Sequence, residues 1–340
     1  MSYRVAVVGA TGAVGLTMLS ILRERNFPAV EVVAFASERS VGERVNYGDR
    51  PLTVQALSAD SIRNFDIALF SAGSSISEEW APKFALADAV VIDNSSAWRM
   101  DPQVPLVISE VNPQDLDVHR GIVANPNCST TQMVVALKPI FDAVGIERVV
   151  VSTYQSTSGT GKLATEELFT QSRAVLGAEQ IEAEVYPHQI AFNVLPQVET
   201  FEDGDPYTTE ERKMCNETRK ILGDGSLKIT ATCARVPVYN AHSESVNVQT
   251  KRPLTADRCR QLLAAAPGIV VVDDPVNAKY PLAIDAAGRD EVFVGRIRED
   301  ESAENALNMW IVADNLRKGA ATNAVQLAEL IAERNLLRVS

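Results

Sequence analysis

Basic residues, cysteine, histidine and aromatic rings are all scarce in this chain of 340 residues. Lys and Arg number 32 against 44 Asp and Glu, a formal charge of -12, so the chain lacks the cationic excess that a nonspecific footprint on nucleic acid or an anionic membrane requires. Any anionic ligand must be met locally. The four cysteines, at 128, 215, 233 and 259, form no CxxC pair, and only three histidines accompany them. Neither a disulfide framework nor a zinc site therefore has its usual spacing. Reduced thiols in a cytoplasmic protein without a metal site fit this usage. The chain also has no Pro-rich linker, low-complexity tract or internal repeat. Residues 5–22 carry no charge over 18 positions, the lower edge of a membrane span. Three glycines and three hydroxyl residues interrupt that run, which reads as strand, turn and helix rather than as a span or a signal peptide.

What remains is an ordinary globular composition, 46% hydrophobic and 22% charged, in a chain long enough for about two domains. The first 125 residues alternate β-branched runs (Arg4 to Val8, Val30 to Ala36, Asp66 to Phe70, Ala89 to Asp93) with helices starting near Gly12 and Ser77, the rhythm of βαβ units and a doubly wound parallel sheet. From Val149 on, the runs are longer and often alternate polar with apolar: Val149 to Gln155, Lys228 to Val236, Ser243 to Thr250, Val292 to Ile297 and Asn308 to Val312. That pattern predicts a mixed sheet with one wetter face, in an α+β domain. Asn315 to Leu337 reads as an amphipathic helix. The expected division is 1–127 plus 315–340 for a Rossmann-type domain and 128–314 for a second domain.

Gly9-Ala10-Thr11-Gly12-Ala13-Val14-Gly15 follows the first strand and opens a helix. Glycines here let backbone approach a pyrophosphate and aim helix amides at it, although a tight turn without a ligand uses them equally well. After the second strand, Ser37, Arg39 and Ser40 offer a guanidinium and two hydroxyls to a 2'-phosphate, with Glu38 the opposing signal of a ribose-binding acid. Asn127-Cys128 precedes an apolar-periodic run, so Asn127 suits an N-cap and the Cys128 thiol a helix start, where the dipole favours thiolate. Cys215 and Cys259 lie in helical patterns and Cys233 in an apolar strand, the usual places of inert thiols.

The glycine turn, then Asn125-Pro126-Asn127-Cys128-Ser129-Thr130, Tyr154-Gln155 with Ser158-Gly159, Arg235-Val236-Pro237-Val238 with His242, Ala286-Ala287-Gly288-Arg289-Asp290-Glu291 and Asp314-Asn315-Leu316 together resemble the aspartate-semialdehyde dehydrogenase family, in order and over nearly the whole chain. The resemblance implies a Rossmann domain binding NADP and a catalytic and dimerisation domain with a mixed sheet. It implies Cys128 as nucleophile, His242 as general acid and base, and Gln155 as the residue orienting thiol or substrate. Arg235 would clamp the substrate carboxylate and Glu210 its amine, while Arg99 and Lys213 would hold phosphate. Gly9, Thr11, Gly12, Ala13, Val14, Ser37, Arg39, Ser40, Ser158, Gly159 and Asn315 would face the cofactor. His119 and His188 stay structural. The implied partners are a small-molecule substrate, inorganic phosphate and a second copy of the chain, with a homotetramer as the alternative assembly. The implied reaction turns aspartyl 4-phosphate into aspartate 4-semialdehyde on the route to lysine, threonine and methionine. Two other readings stay open: a phosphorylating aldehyde dehydrogenase of the acetylglutamyl-phosphate reductase type, and a catalytically silent NADP-binding regulator.

Overall fold

The computed structural model describes residues 2–337. Up to Asn127 the chain forms β1 (Tyr3–Val8), α1 (Ala13–Glu24), β2 (Ala29–Phe35), β3 (Arg44–Tyr47), β4 (Arg50–Thr53), β5 (Ile67–Phe70), α2 (Ser74–Leu86), β6 (Val90–Asp93) and β7 (Ile122–Ala124). Next come α3 (Cys128–Val144), β8 (Ile146–Gln155), α4 (Lys162–Gly177), α5 (Thr209–Leu222), β9 (Lys228–Arg235), β10 (His242–Thr250), α6 (Ala256–Ala265), β11 (Ile269–Val271), α7 (Ala283–Ala286), β12 (Val292–Glu299) and β13 (Ala306–Ala313). The last helix is α8 (Thr322–Glu333). The chain divides into two compact units, one made of the residues up to Asn127 with those from Ala320 on, the other of Cys128–Gly319.

In the first unit five strands run parallel in the order β2-β1-β5-β6-β7. β1, β5 and β6 are near-continuous apolar runs because helices cover both faces of a parallel sheet. Val5 and Val7 point to one face, into a core with Met18, Leu19 and Ile21 of α1 and Val325, Leu327 and Ile331 of α8. Ala6 and Val8 point to the other, where Phe84 of α2 meets Phe70 edge-on at 5.3 Å between ring centres. The strand order reverses at β1, so the loop after β1 opens at the crevice where such sheets bind ligands. Residues 5–22 are β1, this loop and most of α1, and no helix among the described residues is long and apolar enough to cross a membrane.

The second unit holds a six-stranded mixed sheet, β11-β12-β13-β10-β8-β9, antiparallel except for the β11/β12 and β8/β9 pairs. Helices α3, α5 and α6 pack on it. The alternation is plainest on β8, where Val149, Val151, Thr153 and Gln155 are buried while Tyr154 is exposed and lies 5.3 Å from the Trp310 ring.

The chain end departs from a single amphipathic helix over 315–337. Asp314 Oδ1 accepts bonds from the Leu316 and Arg317 amides at 2.8 and 3.0 Å, and Arg317–Ala321 winds as a π-turn before α8 begins. Asn315 stays with the second unit, so the return to the first unit falls at Ala320. α8 carries no broad polar face over its first two turns: Thr322, Asn323, Ala324 and Val325 are all buried. The hairpin β3/β4 and the three-residue strands β7 and β11 lie outside the predicted strands. They are too short, or in the hairpin too polar, for period-two alternation to show.

Gly9 sits at φ +86°, and a Cβ there would run into the Ser71 carbonyl. Gly9→Ala therefore combines backbone strain with a clash against main chain, and we expect a loss of more than about 3 kcal/mol of stability in denaturant melts.

Candidate active site

Gln155 ends β8, Arg235 ends β9 and His242 begins β10, and since β8 lies between β9 and β10, all three stand at one edge of the mixed sheet. Gln155 and Arg235 are direct cross-strand partners. Pro237, lacking an N–H, suits the place where β9 stops, and Ala241, at φ +69°, turns the chain into β10. All three side chains are buried, His242 completely.

His242 is held by one bond pattern. Its Nδ1 accepts from the Ser156 backbone N–H at 3.0 Å and lies 3.0 Å from Ser156 Oγ. A backbone N–H can only donate, so the network assigns the neutral ring's proton to Nε2. That atom is buried with no bond partner. Burial first, and then the Arg235 guanidinium, hold the His242 pKa well below its ordinary value, so the imidazole is neutral near pH 7. The resting ring is thus a hydrogen-bond donor at Nε2. Asn315 sets the stage beneath it: Oδ1 accepts from Ala241 N and from Ser156 Oγ, each at 3.0 Å, and Nδ2 donates to Ser158 Oγ at 3.0 Å.

Arg235 donates from one terminal nitrogen to the Ser156 carbonyl at 2.7 Å, leaves Nε without a partner and lies 6.0 Å from the Tyr186 ring centre. Gln155 Nε2 donates to Glu210 Oε1 at 3.0 Å. Glu210 is in place because Thr208 and Glu211 form a reciprocal capping box at the start of α5, a strong stop on helix fraying. Lys213, one turn on, is ion-paired with Glu199 Oε2 at 2.6 Å.

Cys128 is the first residue of α3 and is half-buried, whereas the other three thiols are buried. Burial raises the pKa of Cys215, of Cys233 and of Cys259, the last to about 12, which leaves these thiols protonated and unreactive. Gln132, one turn after Cys128, donates from Nε2 to the His242 carbonyl at 3.3 Å. The helix that starts with the thiol and the strand that starts with the imidazole are thereby joined. Among the described residues no group of His, Cys, Asp and Glu could hold a metal ion.

In the first unit, Gly9 to Val14 form the loop after β1 and the start of α1. Gly12 is the N-cap, with no side-chain cap and no acid in the first turn, so nothing competes with an anion for the helix amides. Ser37 and Arg39 are exposed and Ser40 half-buried in the turn after β2. No hydrogen bond or ion pair engages Arg39 among the described residues. Arg99 is buried and donates to the carbonyls of Asn125 and Asn94 at 3.0 and 2.8 Å. His119 bridges Gly121 and Leu336, while His188 is exposed.

The structure thus bonds Gln155 to Glu210 and, on the neighbouring residue, gathers Ser158, Arg235, His242 and Asn315 around Ser156. Ser156, Gln132 and Tyr186 belong with them and carry no motif of their own. The hydroxyl-rich run Ser156-Thr157-Ser158 between glutamine and glycine was the one signal pointing to Ser156.

Residues 4–119 match the family model described as semialdehyde dehydrogenase, NAD binding domain, and residues 137–318 match semialdehyde dehydrogenase, dimerisation domain. A nucleotide-binding sheet followed by a mixed-sheet dimerisation domain defines a semialdehyde dehydrogenase. Similar proteins include the aspartate-semialdehyde dehydrogenases of Aquifex aeolicus (strain VF5), 57% identical over 342 residues with 99% of this chain and 100% of that protein covered, and of Legionella pneumophila, 54% identical over 339 residues with 99% and 97% covered. The crystal structure of aspartate semialdehyde dehydrogenase II complexed with ASA from Vibrio cholerae matches with a TM-score of 0.94 and 47% identity, over 98% of this chain and 99% of that one. The chain belongs to the aspartate-semialdehyde dehydrogenase family.

Gly159 gives the site a sharp test. A Cβ there would stand 3.1 Å from an Arg235 terminal nitrogen and 3.2 Å from His242 Cε1, so the guanidinium and the imidazole must both give. Gly159→Ala should melt within about 2 °C of the wild type yet lose about tenfold in turnover, because small displacements of positioned groups are costly to rate. Steady-state kinetics beside a thermal melt will read both.

Proposed function

We propose that the chain reduces L-aspartyl 4-phosphate to L-aspartate 4-semialdehyde with NADPH, by way of a thioester on Cys128, in the biosynthesis of lysine, threonine and methionine. The observation that carries this reading is the Gln155–Glu210 bond beside the Arg235 and His242 side chains, both held by Ser156, in a chain 57% identical over 342 residues to an aspartate-semialdehyde dehydrogenase. The Cys128 thiolate attacks the acyl carbon, the C–S bond forms, the C–O bond to the phosphoryl group breaks, and phosphate leaves. The nicotinamide, when bound, supplies the hydride. His242 holds its proton at Nε2 and donates a hydrogen bond to the acyl oxygen as negative charge grows there. Collapse of the resulting hemithioacetal oxyanion breaks the C–S bond, frees the aldehyde and restores the thiolate.

Arg235 fits the substrate α-carboxylate: its guanidinium has an unpartnered Nε and its charge is buried beside the imidazole, where a fork-shaped contact with a carboxylate is worth most. Glu210 fits the ammonium of the same substrate, with Gln155 between it and the acyl group. Arg99 and Lys213 are assigned to phosphate, Lys213 exchanging Glu199 for it. On the cofactor side, Thr11, Gly12, Ala13 and Val14 would meet the pyrophosphate, and Ser37, Arg39 and Ser40 the 2'-phosphate. Ser158, Gly159 and Asn315 are assigned to the nicotinamide side, where Asn315 and Ser158 also brace His242 from below. We further assign a homodimer through the dimerisation domain, and a cytoplasmic location. Neither a reductase of the acetylglutamyl-phosphate type nor a silent regulator is favoured, since the relatives at 57% and 54% identity are aspartate-semialdehyde dehydrogenases.

The direct test is nicotinamide absorbance on mixing the protein with aspartate semialdehyde, phosphate and either NADP or NAD. Cys128→Ser should reduce turnover at least about 1000-fold while NADP still binds, since an unactivated hydroxyl is a poor nucleophile; retention of a tenth of the activity would overturn the thioester. Arg39→Ala should raise the KM for NADPH about 10- to 100-fold and leave that for NADH unchanged, the size of a charge-assisted contact to one phosphate. Equal losses with both cofactors would make Arg39 structural.

A further inference from the structure

Behind the catalytic edge, on the sheet face that α3 and α5 cover, lies a polar patch that the chemistry above leaves unused. Glu244 is wholly buried, two residues along β10 from His242 and on the same side of the strand. Neither of its carboxyl oxygens has a hydrogen-bond partner. Two more fully buried polar atoms near it also lack one: the hydroxyl of Thr153, its cross-strand partner on β8, and Oε1 of Gln132 on α3. The Gln132 amide nitrogen donates to the His242 carbonyl, which leaves its oxygen as an acceptor without a donor. The Thr153 hydroxyl is the one donor among these atoms, so an ionised Glu244 would add only acceptors and leave Gln132 Oε1 without a donor, with its own charge buried and unpaired. The protonated acid supplies the missing donor.

The groups around it agree. From α5 comes the Glu210 carboxylate, from β9 Cys233 and from β10 His242, with uncharged Gln132 on α3, Thr153 on β8 and Ile311 opposite on β13. Among the described residues no cation faces Glu244. Burial, with a lesser push from the nearby Glu210, holds its carboxyl well above the ordinary value, against the opposing effect of the Gln132 side chain.

We propose that Glu244 is a positioning residue kept as the neutral acid, donating a hydrogen bond to Gln132 Oε1 and thereby fixing the Gln132–His242 link between the helix that begins at Cys128 and the strand that begins at His242. Its catalytic consequence rests on Cys128 and His242 acting together as read above, whereas its protonation state does not. That separation shapes the test.

The first measurement is thermal unfolding of the wild type and of Glu244→Gln between about pH 5 and pH 8. A carboxyl raised in the folded state must take up a proton on folding above its unfolded pKa, so its stabilisation is present at low pH and is lost as pH rises. The amide escapes this loss. The melting temperature of Glu244→Gln relative to wild type should therefore climb steadily with pH. A difference that is constant or falling, or a Gln variant that does not fold, overturns the neutral acid whatever the enzyme's substrate. The second measurement is kinetic. Glu244→Leu should lower kcat about tenfold or more with the KM for NADPH changed less than about threefold, while Glu244→Gln, able to donate to the same oxygen, recovers most of the lost turnover. If the Leu variant does not fold, Gln132→Leu cuts the same link from the helix side and is read in the same way. Full turnover in the variant that cuts the link, or a Gln variant as slow as it, overturns the positioning role.

Discussion

One carboxamide ties together the end of the mixed sheet that carries Gln155, Arg235 and His242. Asn315 accepts from the Ala241 amide and the Ser156 hydroxyl and donates to Ser158, so the segments leaving β8, entering β10 and leaving β13 cannot shift independently. His242 inherits its place and its tautomer from this cross-link, because the Ser156 N–H that fills Nδ1 belongs to a segment Asn315 holds. With Nδ1 filled by a donor, a second proton on the ring would face an N–H, and burial beside Arg235 penalises the charge as well. The imidazole is therefore built to offer a proton in a hydrogen bond, which suits stabilisation of an oxyanion better than storage of a proton.

Anion recognition in a chain with a formal charge of -12 has to be local, and the proposed function rests it on two kinds of fixed donor. Arg235 is buried and aimed by a backbone carbonyl, with an aromatic ring beneath it. Gly12 opens a helix whose first turn contains neither a cap nor an acid. Fixed donors of this kind do not depend on a general electropositive field, so they suit small anions while the surface repels large polyanions.

Much of this was legible in the sequence because each feature is local. Periodicity located the strands that carry Gln155, Arg235 and His242, and the N-cap logic put Cys128 at the start of a helix. The relations between distant segments were not legible. Nothing in Asp314-Asn315 announces a side chain bonded to residues 156, 158 and 241, and the sheet order that inserts β8 between β9 and β10 leaves no trace in spacing. Glu244 shows the same limit: in sequence it is one acid among 44 Asp and Glu, and only its burial without a partner sets it apart. The π-turn at Arg317–Ala321 was hidden because its residues are ordinary helix formers apart from Gly319.

The split make-up of the first unit bears on how the protein comes into being. Val325, Leu327, Ala328 and Ile331 of α8 complete the core beneath β1, and Asn323 bonds Asn125 and the Val107 carbonyl across some 200 residues of chain. A chain under synthesis therefore exposes one apolar face of its nucleotide-binding sheet until α8 is made, and α8 follows every element of the mixed-sheet unit. Of these two units, the one begun first is finished second.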